Sequence, residues 1–381
     1  MTAEEYRTAV YDVIYLASCA INGKKPDIDR TGKMDLSLVF KTAQRHLLDG
    51  ITAAALQSAG IRDTQFTQAW AKAVRRTASF NEERTAILSE MDKAGIWYMP
   101  LKGCVLQDMY PGIGMRQMAD NDILFDDSRT GDLRKIMESR GFEVGKNFGL
   151  GVHDTYTKPP FFNFEMHRAL FGTGHDRRIV EYYKDIKSRL LRTEGTECGY
   201  HMSDEDLYVY LIAHEYKHYS NAGTGLRSLL DTYVFLREKV DSLDRGYINA
   251  ELEKLRISEF EEKNRRLSMQ LFSGEETDGL DDEMLEYVIS SGTYGTVQNR
   301  VKNKVGGYGG GSWGKIRYAL SRVFLPLETV RTGFPVFYKY PVLLPFLPLF
   351  RLFRGLIRHS GRLKSELKAL GSYKEDQDNK E

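Results

Sequence analysis

"MADNDILFDD", residues 118–127, decides how this chain is read. Asp120 and Asp122 stand two apart, and Ile123, Leu124 and Phe125 follow them. The apolar run reads as a buried strand, and side chains at i and i+2 of a strand face the same side. The two carboxylates therefore project together from one end of the strand. Side by side in a partly dry place they repel each other unless a cation neutralises them. A hard divalent cation, Mg²⁺ or Mn²⁺, suits oxygen donors. An isolated D-x-D is more often a solvated strand end, so the neighbouring segments carry the decision.

Upstream, "IWYMPL" (96–101) reads as a short strand and "KGCVLQDMY" (102–110) as a helix leaving it through Lys102 and Gly103. Free N–H groups at such a helix start receive phosphate oxygens, and Gly103 permits close backbone approach. Lys102 and Arg116 are candidate phosphate cations, with a plain surface charge as the competing reading. Downstream, "RTGDLRKIMESRG" (129–141) reads as a helix closed by Gly141 and "FEVGK" (142–146) as a third strand. "HDTYTK" (153–158) and "FFNFEMHRAL" (161–170) read as a strand pair around Pro159-Pro160. Within that pair Glu165 is a carboxylate between Phe164 and Met166, and His167 shares its face. Strands and helices mix only over residues 95–172.

The flanks read as helices. "EYRTAVYDVIYLASCAI" (5–21) places Tyr6, Val10, Val13 and Ile14 at three- and four-residue steps, and "ERTAILSEMDKAG" (83–95) ends at Gly95, a helix stop. "SDEDLYVYLIAHEYKHYS" (203–220) opens on a serine cap and acidic residues. "GLRSLLDTYVFLREKV" (225–240) and "NAELEKLRISEFEEKNRRLSMQLF" (249–272) continue as helices. The expected organisation is a helical region over 1–94, an α/β core over 95–200 and a helical domain over 201–300. A Gly-rich linker, a Pro-rich segment and a basic amphipathic tail fill 301–381. The fold class is α+β, a small mixed sheet embedded in mainly helical N- and C-terminal regions.

The formal net charge of +1 conceals an asymmetry: residues 301–381 hold 15 Lys+Arg against 6 Asp+Glu, so the basic charge lies in the tail. Cys19, Cys104 and Cys198 are scattered and odd in number, which fits a reducing, cytoplasmic setting. The N-terminus lacks a basic region, so no signal peptide is expected. No apolar stretch of about 20 residues suggests a spanning helix. In the tail, Pro335, Pro341, Pro345 and Pro348 exclude a regular helix through 333–350. "RLFRGLIRHSGRLKSELKAL" (351–370) reads as a helix with Arg351, Arg354, Arg358 and Arg362 opposite Phe353, Leu356, Leu363 and Leu367. Residues 333–370 are thus a candidate for peripheral contact with the inner membrane face, against packing on the protein itself. No stacking motif points to nucleic acid.

Two further motifs compete for a function. "HEYKH" (214–218) matches H-E-x-x-H, which on a helix would let His214 and His218 bind zinc with Glu215 as general base. Lys217 inside it and the lack of a clear third ligand beyond Glu238 argue against a metallopeptidase. "GGGSWGKI" (309–316) nearly matches a P-loop, but Ile316 stands where a metal-binding hydroxyl is required, so the segment reads as linker.

The order strand, glycine turn, helix, D-x-D strand, third acidic strand resembles the DNA polymerase β-type nucleotidyltransferase superfamily. Within it, "LKG…YPG…R…DNDILF…FEMHRALF" and "AHEYKHYSNAGTGLRSLLDTYVFL" resemble a family of bacterial uncharacterised nucleotidyltransferases. The resemblance implies that Asp120, Asp122 and Glu165 hold divalent metal and that Glu165 helps bind or activate the acceptor hydroxyl. It implies that Lys102 and Gly103 cradle the phosphates of an NTP. His214, His218, Arg227 and Asp231 would face or buttress the cleft. The usual Gly-Ser pair is replaced by Lys102-Gly103-Cys104, and Asn121 stands where an apolar residue is usual. These two departures keep open a non-catalytic nucleotide-binding module beside the leading reading, transfer of a nucleoside monophosphate to an unknown hydroxyl acceptor.

Overall fold

The computed structural model describes residues 2–146, 148–172, 174–274, 282–358 and 360–373, with the side chains at 328, 332, 355–358, 360, 362 and 363 outside that description. The chain forms two compact units. One comprises Met1–Tyr216 and Gly225–Thr293, the other Lys217–Thr224 and Tyr294–Glu381.

The first unit begins with helices α1 (Ala3–Ile21), α2 (Ile28–Thr31), α3 (Leu36–Arg45), α4 (Asp49–Ser58) and α5 (Thr64–Lys93). Thr2 and Glu5 form a reciprocal capping box at the start of α1. Asp63 caps α5 by accepting the N–H groups of Gln65 and Phe66. The end of α5 falls where glycine permits it: Gly95 has φ +66°, and the Ile96 N–H returns to the Met91 carbonyl at 2.9 Å.

The sheet follows, with β1 (Tyr98–Pro100), α6 (Gly103–Leu106), β2 (Asn121–Phe125), α7 (Thr130–Ser139), β3 (Glu143–Val144), β4 (His153–Lys158) and β5 (Phe162–His167). The spatial order is β1-β2-β5-β4-β3. β2 and β5 run parallel, and the other three pairings are antiparallel. One face of the sheet is apolar: Ile123, Phe125, Tyr156, Phe164 and Met166 pack on Phe80, Ile87 and Met91 of α5 and on Leu133 and Met137 of α7. Alternation then sends Asp122, His153, Glu165 and His167 to the opposite face. After α8 (Arg177–Tyr182), a short hairpin of β6 (Leu191–Arg192) and β7 (Tyr200–His201) follows. The Tyr98 N–H donates to the Cys198 carbonyl at 3.1 Å, so the outer edge of β1 is covered.

Helices α9 (Asp204–Tyr219), α10 (Leu226–Lys239), α11 (Arg245–Leu255), α12 (Ser258–Phe272) and α13 (Glu283–Ser291) come next. The helix expected over 249–272 is two helices, broken at Arg256, whose φ of +56° is left-handed. No Gly or Pro marks the break. Leu252, Leu255, Ile257 and Phe260 are all buried across it, so packing sets the bend.

In the second unit the expected Gly-rich linker is folded. α14 (Val297–Gly307) and α15 (Gly311–Val323) meet at a turn in which Gly309, Gly310 and Gly311 have positive φ. A Cβ on Gly314 would lie 2.6 Å from the Val305 carbonyl, so this glycine serves close helix crossing and not flexibility. α16 (Leu327–Gly333), α17 (Pro335–Lys339), α18 (Leu347–Arg358) and α19 (Ser360–Ser372) complete the chain. Val301, Val305, Tyr318 and Ala369 form this unit's small core. The prolines interrupt the helix through 333–350, as read. The single helix expected over 351–370 is divided between α18 and α19. The side chains of Leu356, Arg358, Arg362 and Leu363 lie outside the described residues.

Candidate active site

Asp122 and Glu165 are Cα partners across the parallel β2/β5 pairing, and Asp120 lies two residues before Asp122. Carboxylate oxygens of Asp120, Asp122 and Glu165 lie within 4.8 Å of one another. Asp122 is 7% exposed, and both of its oxygens are engaged. Oδ2 accepts from Lys102 Nζ at 2.9 Å, and Oδ1 pairs with His167 Nε2 at 3.0 Å. Burial favours the neutral acid at Asp122, but Lys102 and His167 outweigh it and hold the carboxyl far below the usual range. Burial likewise opposes the charge on Lys102, and Asp122 reverses that, raising its pKa. Asp120 has no ion-pair partner among the described residues. Burial, then the Asp122 and Glu165 charges, push its pKa up. At Glu165 the His167 hydrogen bond lowers the pKa against burial and the Asp122 charge.

A second donor set adjoins the first. His153 Nε2 and His167 Nε2 each lie 3.6 Å from Glu165 Oε2, and the three side chains offer convergent ligand atoms. Three carboxylates suit a hard cation; two imidazoles and a carboxylate suit a first-row transition ion. His153 was not singled out in the sequence. The signal was present, because the turn at Pro159-Pro160 pairs Lys158 with Phe162, and stepping five residues back sets His153 opposite His167.

The Lys102-Gly103 turn borders this cluster. Lys102 has φ +39°, a strained value for a residue with a side chain. The backbone N–H groups of Lys102 and Gly103 donate to no acceptor among the described residues. Arg116 is buried and makes a two-pronged ion pair, Nε and Nη2 each 2.8 Å from the carboxylate of Asp231 in α10. A Cβ on Gly103 would sit 2.8 Å from Arg116 Nη1, so the guanidinium borders the turn while Asp231 holds it in place. Tyr110 donates its hydroxyl to Asp231 Oδ1 at 2.7 Å. Arg227 donates to the Gln117 carbonyl at 3.1 Å. Burial and the neighbouring Arg116 lower its pKa, while Asp231 and Asp120 partly restore it. The cluster therefore joins Arg116, Arg227 and Asp231 behind the carboxylates.

Cys104 and Asn121, where the motif departs from the usual pattern, bond to each other. Asn121 Oδ1 accepts from Arg84 Nη1 at 2.9 Å and from the Cys104 thiol at 3.0 Å. Burial pushes the Cys104 thiol up to about 11, so it is a neutral filler here and not a nucleophile.

A family sequence model described as "Uncharacterised nucleotidyltransferase" matches residues 32–273, which include the whole sheet and all three acids. The chain belongs to this uncharacterised nucleotidyltransferase family. No curated protein and no solved structure matches it. A nucleotidyltransferase takes an NTP as substrate, typically with a divalent metal, and helices α14–α19 lie beyond the matched span.

The zinc-peptidase reading of this nucleotidyltransferase meets a structural obstacle at its general base. Glu215 is buried between helices, accepting from Asn264 Nδ2 at 2.7 Å and from the Thr232 hydroxyl at 3.4 Å. Burial pushes its pKa up to about 7. A carboxyl held in a helical core is not placed to activate water over a metal. His214 is half-buried with its ring 6.1 Å from Tyr210, and His218 is exposed. Neither belongs to a group of three metal-donor side chains among the described residues.

Proposed function

We propose that the chain transfers a nucleoside monophosphate from an NTP to a hydroxyl of a small-molecule, sugar or protein acceptor, in a site of the DNA polymerase β type. The convergence of the Asp120, Asp122 and Glu165 oxygens within 4.8 Å carries this reading, together with the family to which the chain belongs. The donor set fits Mg²⁺ or Mn²⁺. Three carboxylates supply oxygen ligands only, and burial, then the Asp122 and Glu165 charges, raise the pKa of Asp120 against the opposing pull of Lys102 and Arg227. When bound, such an ion stabilises charge on the attacking and leaving oxygens.

The remaining work falls to the chain's own groups. The acceptor oxygen forms a bond to the α-phosphorus, the α–β anhydride bond breaks, and pyrophosphate leaves. Glu165, its pKa held down by His167, receives the acceptor's proton directly or through water. The unused N–H groups of Lys102 and Gly103 cradle the β- and γ-phosphates, and Lys102 exchanges Asp122 for a phosphate oxygen. Arg116, fixed by Asp231, lends positive charge to the same place.

An NTP labelled at the α-phosphate, incubated with Mg²⁺ and candidate acceptors, tests the proposal. Label is expected on the acceptor with one pyrophosphate released per transfer, both lost in Asp120→Asn. A second reading follows from Asp122, whose two oxygens are already paired to Lys102 and His167. On that reading the pocket binds nucleotide without turnover, and the same assay returns stable NTP binding without pyrophosphate.

A further inference from the structure

α18 reverses the usual order of an amphipathic helix. Leu347 is buried, and Arg351 turns inward, donating to the Arg322 and Val323 carbonyls at the end of α15. The apolar side chains point outward. Phe346, Leu349, Phe350 and Phe353 are 60, 58, 46 and 65% exposed, at the i, i+3, i+4, i+7 spacing of one helical stripe. Val342, in the 3₁₀ turn over Pro341–Phe346 that leads into α18, is 82% exposed. Scattered exposed hydrophobics are ordinary, but a continuous stripe is not. Of the 23 large hydrophobics exposed among the described residues, 16 fall between Trp313 and Leu367, so the exposure belongs to this segment and not to the surface at large.

Charge identifies what covers it. Residues 329–365 contain no Asp or Glu and seven Lys or Arg. Arg331, Lys339 and Arg354 are exposed. An acid-free cationic segment beside an aromatic and aliphatic stripe complements a surface that is negative outside and apolar beneath. No helix among the described residues is long and apolar enough to cross a membrane. We infer that this face of the second unit seats on an anionic lipid bilayer. Phe346, Leu349, Phe350 and Phe353 enter the boundary between headgroups and acyl chains, and Arg331, Lys339 and Arg354 meet lipid phosphates. The inference is independent of nucleotidyl transfer.

Flotation of the full chain with phosphatidylcholine vesicles, with and without an equal part of phosphatidylglycerol, tests it. The chain is expected to float with the anionic vesicles, weakly with the neutral ones, and less at salt of about 0.5 M, where screening is short-ranged. The double variant Phe346→Ser/Phe353→Ser changes only exposed side chains. It should keep its circular dichroism and lose about tenfold or more in partition coefficient. Lys339→Glu/Arg354→Glu should remove the preference for anionic vesicles while the apolar stripe stays intact. Failure to float with either vesicle at low salt overturns the inference. So does a dimer in light scattering that Phe346→Ser/Phe353→Ser dissolves without any vesicle binding, because a second copy would then cover the stripe. Equal binding to neutral vesicles overturns the anionic requirement.

Discussion

Asp122 and Glu165 face each other as Cα partners in the parallel pairing of β2 with β5. Their side chains leave the sheet on the face opposite the Phe80–Phe164 core, and Asp120 joins them from the same strand entry. Parallel pairing of two strands about 45 residues apart in sequence therefore builds the carboxylate cluster.

If that cluster holds the ion, losing any one acid removes a ligand where transition-state charge develops. Asp120→Asn and Glu165→Gln should each lower the transfer rate about a thousandfold or more, several kcal/mol of lost stabilisation. Neither change should lower the melting temperature much, and Asp120→Asn should raise it at neutral pH, because burial and the Asp122 and Glu165 charges disfavour the Asp120 carboxylate while Glu165 is partly exposed. Pyrophosphate release beside a thermal melt checks both statements.

Lys102 occupies an oxygen of Asp122 that the proposed cation would need. Lys102→Met leaves Asp122 paired with His167 and open to a metal on its other oxygen. Without nucleotide, Mn²⁺ should bind this variant several-fold more tightly than wild type, because a competing charge is gone. The KM for NTP should rise in the same variant. Calorimetric Mn²⁺ titration and steady-state kinetics separate the two effects.

Gly103→Ala should act through Arg116. The added methyl would meet Arg116 Nη1 at 2.8 Å, and the two-pronged bond to Asp231 limits how far the guanidinium retreats. A loss of about 1–3 kcal/mol in stability follows from such overpacking. A rise in KM for NTP with little change in kcat would place the effect in binding. Chemical denaturation and initial rates measure the two.

Glu215 gives the fold a pH dependence away from the carboxylate cluster. Burial raises its folded-state pKa to about 7, above the ordinary glutamate value. The contribution is therefore fully present below about pH 4.5 and is lost as pH rises through about 7. Glu215→Gln removes the ionisation while keeping an acceptor for Asn264 and Thr232. At pH 8 it should be the more stable protein by about 2–3 kcal/mol, with the difference vanishing near pH 4.5. Melting temperatures of both proteins across that range test the sign.

The D-x-D strand, the helix stop at Gly95 and the capped start of α9 at Ser203 were legible because each rests on local chemistry. The α+β class followed from the change of period between residues 95 and 172. Non-local arrangements were not legible in the same way. His153 enters the site only through its register with His167. Lys102, a candidate phosphate cation by its place before Gly103, reaches Asp122 across the strand end, a pairing that the local sequence does not announce. Arg256 breaks a helix with no Gly or Pro to announce it. The glycines near 310 carry one composition for two physical uses, flexible linker and tight helix crossing, and the second is the one built. The sequence sets Arg351 on the basic side of one helix, opposite Phe353, but its side chain donates to carbonyls at the end of α15 and the apolar stripe is left exposed.

On the proposed function, Asp120, Asp122 and Glu165 jointly hold one divalent ion. Mn²⁺ titration followed by electron paramagnetic resonance, with a non-hydrolysable NTP present, tests it most directly when wild type is compared with Glu165→Gln. Stoichiometric binding by wild type and an affinity at least about tenfold lower in Glu165→Gln are expected. Binding to Glu165→Gln as tight as to wild type would show that the acid from β5 is no ligand and that no ion is shared among the three side chains.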